Sequence, residues 1–267
     1  IRARVIAAAP AARRERVHAF VATLADAYFL NTPEDLIAGD AELRERLDEE
    51  GAGQPPIAMH VSHHPERDFS EVSICGRDRP GFFAMCSGVL AASGMNILSA
   101  RITTTSDGVA LDAFRISHES LDAEEDEARW ELLDRTMRRV LAGEDQVENL
   151  VARRRGSGRY ARAGKGGPAA VQIHNEDSTR HTVIEVYASD RVGLLFLITS
   201  TLAHLGIEIH VAKITTLVDQ VLDIFYVTDG DGRKIEGAAA EDRVRAAILE
   251  ALAPPPAVPP SAPQAAV

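Results

Sequence analysis

Residues 78–81 and 190–193 combine residue types that are suited to binding a small charged ligand. They read Asp-Arg-Pro-Gly and Asp-Arg-Val-Gly, and each precedes an apolar segment with helical spacing. A helix N-terminus exposes unpaired N–H groups that can hold an anion, and a glycine lets a ligand approach the backbone closely. The aspartates Asp78 and Asp190 are equally able to cap their helices. The two loops therefore predict either ligand contacts or ordinary turn-and-cap structure.

The loops belong to an internal repeat. Asp78, Arg79 and Gly81 lie 112 positions before Asp190, Arg191 and Gly193. Further on, Gly94 and Ile97 match Gly206 and Ile209 at the same offset, and Leu111, Asp112 and Phe114 match Leu222, Asp223 and Phe225 at an offset of 111. The change of one residue falls where the tip of a hairpin would tolerate it.

Each repeat predicts a strand, a helix, a hairpin and a second helix. With a closing strand, this order is that of a ferredoxin-like βαββαβ unit, so we predict an α+β fold of two such units. We assign the closing strand of the first unit to residues 170–174. The second unit has no equally good candidate, so it should lack its fourth strand or take it from elsewhere.

Composition limits the functional classes. The 267 residues carry a net charge of −11, which argues against nucleic acid as a partner. Two cysteines exclude a disulfide framework and fit a reducing cytoplasm. The sequence contains no apolar run long enough to predict a membrane span. The first residue is Ile1, which indicates that the chain begins inside a longer protein.

Two other clusters have alternative interpretations. His60, His63 and His64 could bind a metal, but the ligand set is incomplete, so a surface loop is favoured. The basic stretch from Arg153 to Arg162 could contact RNA or an acidic partner. Its glycines favour a flexible connector instead.

The loop sequence, followed by Gly94-Met95-Asn96-Ile97 and Ala100-Arg101-Ile102, resembles the ACT domains of amino-acid-regulated enzymes. Two such repeats, joined by the basic stretch and preceded by residues 26–35, are similar to the C-terminal regulatory region of the bifunctional uridylyltransferase/uridylyl-removing enzymes. That resemblance implies domains at 57–175 (including a basic loop at 151–168) and 178–253. It also implies a helical bridge from a catalytic region at 1–50, and a disordered Pro-rich tail follows at 254–267.

The same resemblance implies a sensor of glutamine that controls an enzyme acting on the PII signalling protein. The parent enzyme would be a Mg-dependent nucleotidyltransferase with hydrolase activity. For this chain we predict no catalytic residue, metal or cofactor, since the family's catalytic motifs are missing here. Self-association through the ACT domains is expected. The alternatives are the amino-acid-binding module of another metabolic enzyme and a dimerisation scaffold without a ligand.

By this resemblance the ligand lies where a loop of one repeat faces a sheet edge of another. The residues predicted to contact it are Asp78, Arg79, Pro80, Gly81, Phe82, Phe83, Asn96, Ile97, Asp190, Arg191, Val192, Gly193, Leu194, Leu195 and Ile209. The Asn96 amide can pair with a glutamine amide as donor and acceptor. The second repeat has Glu208 in its place and Val192 in place of Pro80, so we expect the first repeat to bind better.

Overall fold

The computed structural model describes residues 1–50, 56–117, 123–156, 167–217 and 220–253. The predicted Pro-rich tail and the basic residues beyond Gly156 up to Arg162 lie outside the described residues. The helices are α1 (Arg2–Ala8), α2 (Arg14–Thr23), α3 (Asp26–Asn31), α4 (Glu34–Glu49), α5 (Phe82–Ala92), α6 (Ala123–Leu141), α7 (Val147–Gly156), α8 (Leu194–His204) and α9 (Ala238–Leu252). The strands are β1 (Ile57–His64), β2 (Phe69–Arg77), β3 (Ile97–Thr104), β4 (Val109–Ser117), β5 (Ala170–His174), β6 (Thr182–Ser189), β7 (Ile207–Leu217) and β8 (Gln220–Asp229).

The strands form one antiparallel sheet in the order β1-β2-β4-β3-β7-β8-β6-β5. The first four strands form one half of the sheet, built around the first repeat, and the last four form the other half, built around the second repeat. The predicted α+β class is confirmed. Both repeats contribute their helices to a single cluster of buried side chains, so the two halves share a core.

The prediction that residues 170–174 form the closing strand of the first unit is wrong. This strand pairs with β6, with Val171 opposite Val186, and it forms the outer edge of the second half. Only residues 175–181 separate β5 from β6, and so short a connection favours antiparallel pairing with the next strand. The second half therefore takes its fourth strand from the segment before its repeat.

The first half is completed in the same way, by β1. This strand pairs with β2 along its whole length, from Ile57 opposite Gly76 to His64 opposite Phe69. His60, His63 and His64 thus lie on an edge strand, where the sequence predicted a loop. The segment from Pro65 to Arg67 makes the short turn between the two strands.

The seam between the halves consists of the pairing of β3 with β7. Ala100 lies opposite Ala212, flanked by the pairs Ser99–Lys213 and Arg101–Val211. Ala100 and Ala212 are equivalent positions of the repeat, 112 residues apart. The seam therefore has an approximate twofold arrangement, in which each repeat meets the same part of the other.

Helices α1–α4 cover the opposite face of the first half. Neighbouring residues of a strand point to opposite faces, so Ile74 joins the core shared by the repeats while Cys75 packs against the N-terminal helices. Ile37 and Leu43 of α4 are fully buried there. The first half is consequently covered on both faces.

Helix α7 replaces part of the predicted basic loop. Residues up to Gly156 are helical, and Val147 and Val151 are buried in the shared core. Arg153, Arg154 and Arg155 occupy its last turn, where positive charge is favourable to the helix dipole. The prediction of a flexible connector is therefore wrong for these residues.

Candidate ligand site between the two repeats

The loop between β6 and α8 forms one wall of the site. Gly193 has φ +72° and precedes the first residue of α8, a backbone conformation that favours glycine. A Cβ at Gly193 would lie 2.5 Å from Cγ1 of Val151, so the bare backbone lets α7 pack directly on the loop. Arg155 fixes the loop further, since its Nε donates a hydrogen bond of 2.8 Å to the Val192 carbonyl.

The opposite wall is the turn from α5 into β3 in the first repeat. Gly94 has φ +78°, and the Met95 N–H donates to the Leu90 carbonyl while the Gly94 N–H donates to that of Ala91. These bonds end α5 in a Schellman-type turn. A Cβ at Gly94 would lie 2.1 Å from Nη2 of Arg154, so this guanidinium rests on the bare backbone of the turn.

A cavity of about 650 Å³ lies between the two walls, within the roughly 300–1,000 Å³ typical of small-molecule sites. The first repeat and α7 contribute Ala91, Gly94, Met95, Asn96, Ile97, Ser117 and Arg154. The second repeat contributes Asp190, Arg191, Val192, Gly193, Leu194, Leu195, Ile214, Val221 and Asp223.

Both signs of charge face this cavity. Arg154 and Arg191 supply positive charge; Nη2 of Arg191 donates to the Leu252 carbonyl at the end of α9, at 3.2 Å. Burial lowers the pKa of the Arg191 guanidinium, so a nearby anion would favour its charged form. Asp190 and Asp223 supply negative charge. The site therefore has the chemistry to hold a zwitterion.

Asp223 lines the cavity but was not among the contact residues predicted from the sequence. It lies on β8 between the buried residues Val221 and Phe225, and 1% of its surface is exposed. Burial, together with repulsion from Asp190, raises the pKa of the Asp223 carboxyl to about 7. A charged residue at a core-facing strand position, repeated as Asp112, was the available signal. Arg154 was not predicted either, because the basic stretch from Arg153 to Arg162 was interpreted as a flexible connector.

The predicted contact residues divide between the cavity and other places. Those that line it are Asn96, Ile97, Asp190, Arg191, Val192, Gly193, Leu194 and Leu195. Those that do not are Asp78, Arg79, Pro80, Gly81, Phe82, Phe83 and Ile209. Phe82 and Phe83 are buried core residues, and the Phe83 ring stacks on Phe114 at 5.3 Å between centroids. The Asp78 carboxylate accepts a hydrogen bond from the Thr104 hydroxyl at 3.2 Å.

Asn96 and Glu208 are the residues on which the preference for the first repeat was based, and each is associated with the loop of the other repeat. Asn96 faces the loop of the second repeat. Burial, with repulsion from Asp78 and Asp229, raises the pKa of Glu208, and Asp78 belongs to the loop of the first repeat. The negative charge of Glu208 therefore acts on Asp78 of the first repeat's loop, and not on the loop beside Asn96.

Helix α7 explains why the two loops differ. A Cβ at Gly81 or at Gly206 would meet no atom of the described residues within 4 Å, whereas the equivalent glycines Gly193 and Gly94 contact Val151 and Arg154 of α7. Helix α7 follows the first repeat and covers only the loop of the second. One loop is therefore enclosed, although the repeat supplies two.

Two negative findings concern the described ranges only. Within them, no three His, Cys, Asp or Glu side chains come together as a metal site would require. None of the helices in the same ranges has the length and apolar character needed to cross a membrane.

Comparison with known proteins identifies the relatives of the chain. A protein of Rhodospirillum rubrum is 37% identical over 196 residues, which cover 73% of this chain and 21% of that protein. Proteins of two Bradyrhizobium strains are each 35% identical over 197 residues, which cover 74% of this chain and 21% of each of those proteins. All three bear the same name. The relatives are bifunctional uridylyltransferase/uridylyl-removing enzymes.

The predicted resemblance to the uridylyltransferase/uridylyl-removing enzymes is thereby confirmed. The chain spans 21% of the length of these relatives. No model of a protein family matches it. A crystal structure of an unknown protein from Galdieria sulphuraria is 17% identical, covers 68% of this chain and 90% of its own, and has a TM-score of 0.22. So low a score supports no structural argument.

Proposed function

We propose that this chain is the glutamine-sensing allosteric region of a uridylyltransferase/uridylyl-removing enzyme. The observation that carries the proposal is the cavity at the seam, where a bare glycine loop of one repeat faces a bare glycine turn of the other, with charges of both signs between them. The relatives bear the name of that enzyme, and the chain matches a fifth of their length, or 21%. In this proposal the parent enzyme carries out uridylylation and its reversal, and its substrate is the PII protein.

Each half fits an ACT-type, ferredoxin-like unit with one permutation. A βαββαβ unit places its last strand beside its first. Here β1 lies beside β2, and β5 beside β6, so the strand that would end each unit precedes it instead. The order β1-β2-β4-β3 with α5 and α6 is otherwise that of such a unit, which supports assigning two ACT-type domains.

Glutamine has groups that match the cavity walls. Its α-carboxylate suits the Arg154 guanidinium and the start of α8, because a helix N-terminus attracts negative charge. Its side-chain amide suits Asn96, which offers a donor and an acceptor. Neither contact requires the loop of the first repeat.

A ligand in this cavity would affect the position of the repeats relative to each other, because both contribute walls. Arg101 sits at the seam opposite Val211, and its Nη2 lies 3.8 Å from the Asp40 carboxylate of α4. Asp40 also accepts a hydrogen bond from the Tyr28 hydroxyl. A shift at the seam would thus reach helices α1–α4, which supplies the differential contact that allosteric coupling needs.

Calorimetric titration of the 267-residue chain with L-glutamine tests the proposal, with asparagine and glutamate as comparison ligands. Arg154→Ala should weaken glutamine binding on the order of tenfold or more, the usual effect of losing a charge-assisted hydrogen bond. Arg153→Ala is the matched control, because Arg153 lies one residue away and is exposed. Equal affinities of the two variants would contradict the proposed site.

A ligand-free scaffold is the second candidate. Val151 on Gly193 and Arg154 on Gly94 already join the repeats by direct contact. Absence of any heat with glutamine at millimolar concentration would favour it. Heat with another amino acid, but none with glutamine, would favour a module of another amino-acid-regulated enzyme.

A further inference from the structure

The carboxyl group of Asp223 is buried at the cavity without its full set of partners. The residue is 1% exposed, it lines the cavity, and its Oδ1 atom accepts no hydrogen bond in the described structure. A buried polar atom without a partner is unfavourable, by roughly 1–3 kcal/mol or more for a charged group. Because Asp223 lies at a cavity wall, a ligand in the cavity can supply the missing contact.

The equivalent residue of the first repeat provides a comparison. Asp112 is also 1% exposed, and burial raises the pKa of its carboxyl well above the ordinary value. Asp112 does not line the cavity. The two aspartates share their place on the strand, their burial and a carboxyl group with unpartnered oxygens, and they differ in access to the cavity.

We propose that Asp223 is the ammonium receptor of the cavity: it binds the α-ammonium group of the amino acid as a carboxylate and so selects amino acids over analogues that lack this group. The inference rests on the proposed function, which it makes more specific. It assigns the ammonium contact to a residue of β8 rather than to the aspartate of the loop.

Asp190 is the competing carboxylate, and its exposure argues against it. Asp190 is exposed to solvent, where attraction between charges is weakened by water and salt. Asp223 is buried, so its interaction with a cation is much stronger. The other charged groups that face the cavity, Arg154 and Arg191, repel an ammonium and attract the carboxylate at the other end of the ligand.

The arrangement couples binding to a proton. With a pKa of about 7, the Asp223 carboxyl of the empty site is largely protonated below neutral pH. A bound ammonium group favours the carboxylate, so binding releases the proton to solvent. Affinity should therefore rise with pH up to about 7, by at most tenfold per pH unit, and level off above it.

The test is calorimetric titration of the 267-residue chain from pH 5.5 to 8.5 with L-glutamine and with its 2-hydroxy analogue, in which a hydroxyl replaces the ammonium group. The wild-type chain should bind glutamine more tightly than the analogue and release protons, seen as a heat that depends on the buffer. Asp223→Asn should weaken glutamine binding on the order of 10- to 100-fold and remove the pH dependence. Asp112→Asn should change neither property.

The outcomes separate the inference from the function on which it rests. Unchanged glutamine affinity and pH dependence in Asp223→Asn would overturn the ammonium contact and leave the sensing function standing. Affinity that falls with rising pH would also overturn it, because Asp223 would then act as a protonated donor. No heat with any amino acid would overturn both. If Asp223→Asn does not fold, the wild-type pH profile and the comparison with the analogue decide.

Discussion

Ser87 and Thr199 occupy the same position in the two repeats, and their buried hydroxyl oxygens lie 3.4 Å apart. Each hydroxyl donates to a carbonyl of its own helix, Ser87 to Ala84 at 2.8 Å and Thr199 to Leu195 at 2.8 Å. The contact marks the approximate twofold axis on the helical side, as the Ala100–Ala212 pair marks it in the sheet. The repeats thus meet through equivalent small residues in both layers.

The seam should be sensitive to a charge at this axis. Ala212 is fully buried opposite Ala100, so Ala212→Glu should lower the free energy of unfolding by about 3 kcal/mol or more. Thr215→Glu is the control, since Thr215 is exposed on the same strand. Urea unfolding measures both. A similar small loss in the two variants would contradict the packing described for the seam.

Alanine substitutions at Gly81 and Gly193 should separate the cost of backbone strain from the cost of a steric clash. Gly193→Ala and Gly81→Ala both place a side chain at positive φ, which costs roughly 1–2 kcal/mol. Only Gly193→Ala also pushes against the buried Val151, which should add about 1–3 kcal/mol. Urea unfolding of the two variants gives the difference directly. Equal losses would mean that α7 does not pack on the loop.

The glycine pair at the turns should separate stability from binding. Gly94→Ala and Gly206→Ala carry the same backbone strain. A methyl group at Gly94 displaces the flexible end of Arg154, whereas one at Gly206 meets nothing within 4 Å in the part of the chain that the structure describes. We therefore expect similar melting temperatures but weaker glutamine binding in Gly94→Ala alone. Equal binding by the two variants would remove Arg154 from the site.

Asp223 should make the stability of the ligand-free chain depend on pH. The pKa of its carboxyl is about 7 in the folded chain and 3.8 as the ordinary value, so the folded state binds more protons between these values. The resulting stability is fully present below about pH 4 and is lost as the pH rises through about 7. The loss in the free energy of unfolding is about 4 kcal/mol, because the two pKa values differ by about three units.

Asp223→Asn should remove this dependence, because asparagine does not ionise. The variant should be more stable than the wild type at pH 8, and the difference should shrink as the pH approaches 4. Urea unfolding at several pH values measures it. Parallel curves for the two proteins at every pH would show that Asp223 is not buried as described.

The sequence alone determined those features that depend on local residue order. Turn glycines such as Gly81 and Gly193, and strands with alternating burial such as β8, follow from residue types and spacing, and they recur because the residues recur. The α+β class and the position of the candidate loops were predictable for this reason. Asn96 and Asp190, both predicted as ligand contacts, line the same cavity, and the sequence did not show that they lie together.

Only the tertiary structure decided which of the two loops lines the cavity. Residues of the two repeats cross the seam, so Asn96 meets the loop at Asp190, and Glu208 lies near Asp78. Helix α7 then covers one loop and not the other, and no counterpart of α7 follows the second repeat within the residues that the structure describes. Packing across the seam joins residues about a hundred positions apart, and residue order along the chain carries no direct record of such contacts.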